Sequence, residues 1–197
     1  YECLIGEKQI KDVISASSTE WLDVLPSDIN LIGAEIELVN MVSRETKLKE
    51  ALSQIKNSYD YIFIDCPPSL GLLTVNALVA ADSIIIPMQC EYYALEGLTQ
   101  LLKTVHLLRQ SLNPSLELEG VVLTMYDSRL KLGDQVIEEI KKFFGNKVYK
   151  SIIPRNVRLA EAPSYGKTIY SYDKSSKGAD AYLKLVEEFC QRNGKTR

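Results

Sequence analysis

A chain of 197 residues, with 46% hydrophobic and 25% charged residues and a formal net charge of −3, has the composition of one globular domain. It has neither an apolar run near the roughly 20 residues of a membrane span nor a signal-peptide pattern at its start, so we expect a cytoplasmic protein. The four cysteines are spread along the chain without CxxC spacing, which excludes a disulfide framework or a cysteine metal cluster and predicts free thiols.

The first 55 residues predict short elements of both kinds. Hydrophobic spacing and turn residues predict helices over 8–15, 35–42 and 46–55, and strands over 21–25 and 29–32. The helix over 46–55 is the most regular of these, because it places Leu48, Leu52 and Ile55 on one face and charged residues on the other.

From residue 60 onward, strands and helices alternate. The sequence predicts strands over 60–64, 83–87, 118–124 and 148–153, and helices over 72–80, 95–112, 132–144 and 179–192. This alternation implies right-handed βαβ connections, and continuous apolar strands are expected where helices cover both faces of a sheet. We therefore predict an α/β fold with a mainly parallel sheet, helices on both faces and a single domain over 1–197.

Three predicted strands end in polar or proline-containing segments: 65–69 (DCPPS), 87–91 (PMQCE) and 154–158 (PRNVR). Ligands of open parallel sheets bind beyond the carboxyl ends of the strands, so we expect the three segments to meet on one rim. Asp65 follows four apolar residues, the pattern of a Walker B carboxylate that holds Mg²⁺ beside nucleotide phosphates. Capping of the next helix is the structural alternative for this aspartate.

Charge is distributed unevenly along the chain. Residues 1–128 contain 8 Lys/Arg against 18 Asp/Glu, a balance of −10, whereas residues 129–177 contain 11 against 5, a balance of +6. The basic segment indicates a face that binds a polyanion, and a scattered solvated surface is the alternative.

Four stretches, DYIFIDCPPSLGLLTVNAL, PMQCEYYALEGL, GVVLTMYDSR and IIPRNVRLAEAPSYGKTI, resemble the ParA/Soj partitioning ATPases, which are relatives of MinD. The resemblance covers essentially the whole chain and implies a P-loop NTPase-like fold. The family's deviant Walker A loop, KGGxGKT, and its DxDPQ switch do not occur here. Gly166-Lys167-Thr168 and Gly194-Lys195-Thr196 lack the upstream glycines of a phosphate-binding loop. The sequence therefore looks like an N-terminally truncated member without the first strands of the fold, and we expect it to be deficient in hydrolysis on its own.

The resemblance also implies roles for individual residues, none of them catalytic. Asp65 matches the Walker B aspartate that serves Mg²⁺, and Thr124 stands where MinD has an asparagine that reads the adenine base. The implied nucleotide-binding residues are Asp65, Pro67, Pro68, Thr124, Pro154, Arg155 and Asn156.

Two arginines implied in nonspecific DNA binding, Arg129 and Arg158, both lie in the basic segment, so two arguments converge on them. A simple ion pair between Arg158 and Glu161 is the alternative. Further basic residues either extend the patch or belong to solvated faces: Lys141, Lys142, Lys147 and Lys150.

The leading hypothesis is a chromosome or plasmid partitioning ATPase. ATP and Mg²⁺ would drive a homodimer that binds nucleoid DNA nonspecifically, and a ParB/Spo0J-type partner would stimulate hydrolysis and release. Tyr92 and Tyr93 would contribute to the dimer face or pack in the core. No membrane partner is expected.

Two alternatives remain open at this point. One is a MinD-like, membrane-associated cell-division switch, and the other is a non-enzymatic fragment that binds DNA or a partner. MinD ends in a basic amphipathic helix, whereas the tail QRNGKTR is polar here. We expect the apolar residues of the last helix to pack on the domain instead: Leu183, Leu185, Val186 and Phe189.

Overall fold

The computed structural model of the protein describes residues 1–67, 69, 71–91 and 94–194. Pro68, Tyr92, Tyr93 and the Lys195-Thr196 pair, all named above, lie outside the described residues. The chain divides into two compact units, Tyr1–Ser83 with Leu101–Glu117, and Ile84–Gln100 with Leu118–Arg197. The prediction of one domain over 1–197 stays a prediction. The four cysteines are free thiols, as predicted.

The first unit is mainly helical. Its helices are α1 (Glu2–Ile5), α2 (Leu31–Leu38), α3 (Lys47–Ser53) and α4 (Leu72–Ala80), with 3₁₀ turns at Ile10–Asp12 and Lys56–Ser58. A short antiparallel ribbon pairs β1 (Ser15–Ala16) with β2 (Asp23–Val24). Buried apolar residues form two clusters, Leu4 with Ala34 and Leu38, and Ile10 with Ala51 and Ile55.

Two buried asparagines fix α4 within the first unit. The side chain of Asn76 accepts the N–H of Leu48 at 3.1 Å and donates to the carbonyl of Arg44 at 2.8 Å. Asn113 donates to the carbonyl of Ala81 at 2.8 Å, just beyond the end of α4. A buried amide without partners is costly, so these bonds favour one placement of the helix.

Several predictions for the first 42 residues are wrong. Residues 29–32 do not form a strand, because the carboxylate of Asp28 accepts the N–H of Asn30 at 2.8 Å and the turn leads directly into α2. The predicted helix over 35–42 ends at Leu38, and the one over 8–15 is reduced to a 3₁₀ turn. The predicted strand over 21–25 keeps two residues, since Trp21 has a φ of 63°, in the left-handed region.

No strand is assigned to residues 60–64, which corrects the prediction made for them. A strand is defined by pairing with a neighbour, and an apolar run alone does not supply one. The resemblance implies that the first strand of the family, which leads into the Walker A loop, is internal to the sheet, and the Walker A motif does not occur in the 197 residues. Phe63 is accordingly 72% exposed, although its position in the run predicts burial.

The second unit contains a three-stranded sheet in the order β3 (Ser83–Gln89), β4 (Glu117–Tyr126) and β5 (Val148–Pro154). β4 and β5 are parallel, with Val121 opposite Val148 and Tyr126 opposite Pro154. The helices that complete the elements of the chain are α5 (Ala94–Ser111), α6 (Lys131–Phe144), α7 (Val157–Glu161), α8 (Ile169–Asp173) and α9 (Lys177–Arg192), with 3₁₀ turns at Gly145–Lys147 and Ala162–Tyr165.

The regular elements after residue 70 agree with the sequence prediction. The strands over 83–87, 118–124 and 148–153 and the helices over 72–80, 95–112, 132–144 and 179–192 are all present, with ends shifted by two residues at most. The α/β fold class with a parallel sheet is therefore confirmed. Its strands are long enough to give a clear apolar run, and its helices are long enough to show their period.

Helix α9 packs along the outer strand β5. Leu185 and Phe189 contact the buried cluster around Tyr149 and Ile153, as the sequence predicted for them. Leu183 and Val186 were expected to pack as well, but they are 39% and 51% exposed. Among the described helices, none is long and apolar enough to cross a membrane.

Glu188 of α9 joins this helix to the backbone of β5. Its carboxylate accepts the N–H groups of Lys150 and Ser151, both at 2.9 Å, and pairs with Arg192 at 2.7 Å. Arg192 also lies over the ring of Tyr149, 3.9 Å from its centroid. Burial alone would raise the pKa of Glu188, but the two backbone donors and Arg192 outweigh it, so the pKa lies below its usual value.

We expect Glu188→Gln to lower the free energy of unfolding at pH 7 by about 2 kcal/mol, because charged hydrogen bonds to two N–H groups and to Arg192 are lost. The contribution of a carboxylate with a depressed pKa is complete at neutral pH and is lost as the pH falls through the folded-state pKa. The substitution should therefore also make the free energy of unfolding fall less steeply as the pH is lowered below 4.5, the usual pKa of a glutamate. Urea unfolding at several pH values measures both effects. Glu187→Gln is the control, because Glu187 is an exposed neighbour on α9. An equal loss of unfolding free energy in both variants would contradict the stabilising role given to Glu188.

Candidate functional site

Thr124 joins the ends of β3 and β4 in the second unit. Its hydroxyl donates to the carbonyl of Met88 at 3.2 Å, and its own carbonyl accepts the N–H of Cys90 at 3.1 Å. Both contacts are part of the sheet, so the side chain of Thr124 helps to hold the segment 87–91 at the carboxyl end of β4.

Arg155 brings the segment 154–158 to the same edge. Its N–H donates to the carbonyl of Tyr126 at 2.8 Å, and its guanidinium pairs with Glu91 at 3.3 Å. Two of the three predicted rim segments, 87–91 and 154–158, therefore meet at the carboxyl ends of β3, β4 and β5. The third segment, which contains Asp65, belongs to the first unit.

Pro154 and Asn156 flank Arg155 and have local structural roles. Pro154 is the last residue of β5, and Asn156 is the N-cap of α7, where its side-chain oxygen accepts the N–H of Arg158 at 2.8 Å. The loop that the resemblance assigns to adenine is thus held by a strand end, an ion pair and a helix cap.

Asp65 is exposed in the first unit, with Pro67 exposed beside it. The structural alternative for Asp65 was the cap of the next helix, and the structure does not support it. The N-cap of α4 is Gly71, and the N–H of Leu73 in its first turn donates to the carboxylate of Glu35 at 3.4 Å.

Asp65 is the residue expected to hold Mg²⁺. Within the described part of the chain, no group of three or more His, Cys, Asp or Glu side chains could hold a metal ion. Mg²⁺ is commonly held by one or two carboxylates, with phosphates and water as the other ligands. A single exposed carboxylate such as Asp65 therefore fits Mg²⁺ only as part of a nucleotide complex.

Arg129 lies just beyond β4 and pairs with Asp127. Nε and Nη2 of the guanidinium donate to the two carboxylate oxygens at 2.9 and 2.6 Å, and the N–H of Arg129 donates to Oδ1 at 3.0 Å. The Arg129 side chain is 83% exposed, whereas that of Asp127 is 13% exposed. The hydrogen bonds from Arg129 hold the pKa of Asp127 well below its usual range.

Arg158, on α7, lies between two carboxylates. Its Nη1 donates to Glu161 at 2.8 Å, and its Nε lies 3.5 Å from Asp173. The hydroxyl of Tyr172 also donates to Glu161, at 3.1 Å. The ion pair with Glu161, which the sequence offered as an alternative to DNA binding, is therefore present.

The four lysines of the basic segment lie away from the two arginines. Arg129 and Arg158 follow the carboxyl ends of β4 and β5, whereas Lys147 precedes β5 and Lys150 is its third residue. Lys141 and Lys142 lie in the last turn of α6. Since seven strand residues span roughly 20 Å, Lys147 is far from Arg158, and the lysines do not extend one patch around the arginines.

The sequence of the chain matches a known family over most of its length. The AAA domain family matches residues 1–118. The sporulation initiation inhibitor protein Soj of Bacillus subtilis is 61% identical over 188 residues, which cover 95% of this chain and 74% of Soj. The chromosome partitioning protein ParA of Myxococcus xanthus is 52% identical over 193 residues, which cover 98% of this chain and 68% of ParA. The chain belongs to the ParA/Soj family of partitioning ATPases.

A solved structure supports the fold of this ParA/Soj family member. The crystal structure of cobyrinic acid a,c-diamide synthase from Mycobacterium smegmatis, with bound ADP and magnesium, is 34% identical to the chain. It superimposes with a TM-score of 0.79 over 98% of this chain and 72% of its own. The P-loop NTPase-like fold implied by the resemblance is thereby confirmed.

Sequence reasoning missed the acidic partners of the ParA/Soj arginines, apart from Glu161. Asp127 stands two residues before Arg129, a spacing at which a carboxylate accepts the N–H two residues on, so the motif YDSR carried a usable signal. Glu91 and Arg155 are separated by 64 residues, and no local pattern connects them.

We expect the two site arginines to contribute little to stability. Both arginine side chains are exposed, and Asp127 keeps the backbone N–H of residue 129 as a donor after substitution. Arg129→Ala and Arg158→Ala should therefore each lower the free energy of unfolding by less than about 1 kcal/mol. Arg192→Ala should cost more, about 2 kcal/mol, because Arg192 is largely buried and its removal leaves Glu188 without its partner. Urea denaturation of the three variants tests this order, which a larger loss for Arg129→Ala than for Arg192→Ala would contradict.

Proposed function

We propose that this chain acts in chromosome or plasmid partitioning as part of an ATP-dependent dimer that binds DNA. The observation that carries the proposal is its 61% identity to Bacillus subtilis Soj over 95% of the chain. In this proposal ATP and Mg²⁺ drive homodimer formation in the cytoplasm, and the dimer binds nucleoid DNA without sequence preference. A ParB/Spo0J-type partner then stimulates hydrolysis and release.

Each unit contributes its own proposed nucleotide-binding residues. In the first, Asp65 holds Mg²⁺ through water, and Pro67 lies two residues beyond it. The ion and its waters neutralise charge on the phosphates. In the second, Pro154, Arg155 and Asn156 pack against adenine, with Thr124 at the end of the preceding strand. The bond from Arg155 to the Tyr126 carbonyl supports this assignment, because it fixes the loop backbone at the carboxyl edge.

Hydrolysis requires more than these residues supply. A Walker A loop binds the β- and γ-phosphates through backbone N–H groups and a lysine, and the switch aspartate orders the attacking water. Neither KGGxGKT nor DxDPQ occurs in the 197 residues. We therefore propose that the family activity, ATP hydrolysis, needs a Walker A segment in addition to this sequence.

The proposed DNA contact is made by Arg129 and Arg158. Both follow the carboxyl ends of parallel strands, which places them at one edge of the sheet in the second unit. A guanidinium group that binds phosphate through paired N–H donors reads no base, so binding through these contacts would be nonspecific and sensitive to salt.

We expect the chain alone to bind ATP weakly and to show no turnover, whereas the same chain preceded by the family's Walker A segment should bind ATP tightly and hydrolyse it. Fluorescent-nucleotide titration and phosphate release measure the two properties. Asp65→Asn in the longer chain should lower turnover and raise the Mg²⁺ concentration needed for half-maximal turnover, because an amide is a weaker partner for the ion than a carboxylate. Failure of the longer chain to bind ATP would contradict the nucleotide part of the proposal.

In the chain preceded by the family's Walker A segment, with ATP and Mg²⁺ present, we expect Arg129→Ala and Arg158→Ala each to weaken binding to duplex DNA of random sequence. Each substitution should also reduce the slope of log K against log salt by about 1, because one phosphate contact is lost. Fluorescence anisotropy at several salt concentrations measures both. Lys147→Ala is the charge-matched control, since it lies roughly 20 Å away and the Debye length at physiological salt is about 8 Å. Equal losses of DNA affinity for all three variants would indicate that the overall positive charge binds DNA, and would contradict the proposed contacts of Arg129 and Arg158.

A further inference from the structure

The contact between Asp127 and Arg129 uses one particular edge of the guanidinium. Asp127 accepts from Nε and from one hydrogen of Nη2. An arginine has five N–H donors, so three remain, two on Nη1 and one on Nη2. One N–H of Nη1 and the remaining N–H of Nη2 form the end-on pair of the guanidinium, which matches two oxygens of a phosphate. Asp127 therefore leaves the phosphate-binding edge of Arg129 unused.

Asp127 is itself held firmly. Its side chain is 13% exposed, and its oxygens accept from both the backbone and the side chain of Arg129. Its carbonyl accepts the N–H of Leu130 at 3.0 Å, which closes the turn after β4. A carboxylate fixed in a closed turn orients the exposed guanidinium, and its lowered pKa keeps it charged at acidic as well as neutral pH.

Arg158 provides an internal contrast. Its Nη1 and Nε point to two different carboxylates, those of Glu161 and Asp173, on opposite sides of the group. The end-on pair of Arg158 is therefore partly occupied, and the surrounding charge is negative. Among the described residues, Arg129 has one acidic partner, Asp127, on one edge.

We propose that Asp127 is a positioning residue, which holds Arg129 with its end-on N–H pair directed outward for a DNA phosphate. The inference rests on the proposed DNA contact of Arg129 and adds the residue that prepares it. Ordering a long side chain on binding costs free energy. Because Asp127 orders Arg129 before DNA binds, this cost is not added to the free energy of DNA binding.

Simple electrostatics points in the opposite direction, which makes the proposal testable. Removing a negative charge beside a polyanion should strengthen binding through Coulomb's law, whether or not Arg129 is present. Loss of positioning should weaken binding only when Arg129 is present. The coupling between the two residues therefore separates the effects.

The experiment uses the chain preceded by the family's Walker A segment, with ATP and Mg²⁺ present, so that the proposed DNA-binding dimer can form. It measures binding of a labelled random-sequence DNA duplex by anisotropy, for the unsubstituted protein, Asp127→Asn, Arg129→Ala and the double variant. The effect of Asp127→Asn on DNA affinity is compared with Arg129 present and with Arg129 replaced by alanine. With Arg129 present, the substitution should weaken binding by a further factor of about two to ten, the range expected for one immobilised side chain. Asp180→Asn is the control, because Asp180 pairs with Lys184 on α9 and not with Arg129.

Each outcome decides between the explanations. Zero coupling overturns the proposal. Coupling of the opposite sign also overturns it and shows that Asp127 competes with phosphate for Arg129. If Arg129→Ala itself leaves DNA binding unchanged, the proposed DNA role of Arg129 fails, and the inference fails with it.

A second variant keeps the test independent of the folding of Asp127→Asn. Arg129→Lys keeps the charge but cannot use one edge for Asp127 and another for phosphate. We expect it to weaken DNA binding within the same range, with an unchanged thermal unfolding temperature. DNA binding equal to that of the unsubstituted chain would show that charge alone is sufficient and would overturn the proposal.

Discussion

The parallel pairing of β4 with β5 is the constraint on which the candidate site of the second unit depends. Because the two strands run in the same direction, the segments that follow them emerge at one edge of the sheet. Arg155 then bonds to Tyr126 across that edge, and Arg129 and Arg158 lie just beyond it. Helix α9 holds β5 from outside through Glu188, so a helix remote in sequence helps to fix the strand that presents the arginines.

The carboxyl edge of the sheet is less positively charged than the basic segment of the sequence suggests. The basic segment has a balance of +6, yet Arg129, Arg155 and Arg158 all pair with carboxylates in the structure. The lysines Lys141, Lys142, Lys147 and Lys150 make no ion pair within the described part of the chain, but they lie toward the opposite ends of the strands. A phosphate at the carboxyl edge would therefore meet oriented guanidinium groups with acidic partners, where geometry matters as much as net charge.

Sequence reasoning succeeded where one element supplies its own signal. The apolar runs of β3, β4 and β5 and the helical period of α4 and α6 are each contained in a single segment, so their positions were predicted within two residues. It failed over 29–32, where a short apolar run is compatible with either a strand or the first turn of a helix, and the Asp28 turn decides in favour of the helix. The same distinction between local and distant contacts explains which parts of the candidate site could be read from the sequence. The pairing of Asp127 with Arg129 is local, whereas that of Glu91 with Arg155 depends on strand order.

Residues 60–64 show how far an apolar run depends on its neighbours. Their sequence is as strongly apolar as that of β3, yet β3 pairs with β4 and is a strand, whereas 60–64 is not assigned as one. In the family implied by the resemblance, the strand that leads into the Walker A loop is internal to the sheet and so pairs on both sides. The same segment would thus supply both the phosphate-binding loop and the strand that fixes the backbone before Asp65. Presentation of the Mg²⁺ carboxylate and binding of the phosphates would then be two consequences of one pairing, because a paired strand fixes the direction of the carboxylate that follows it.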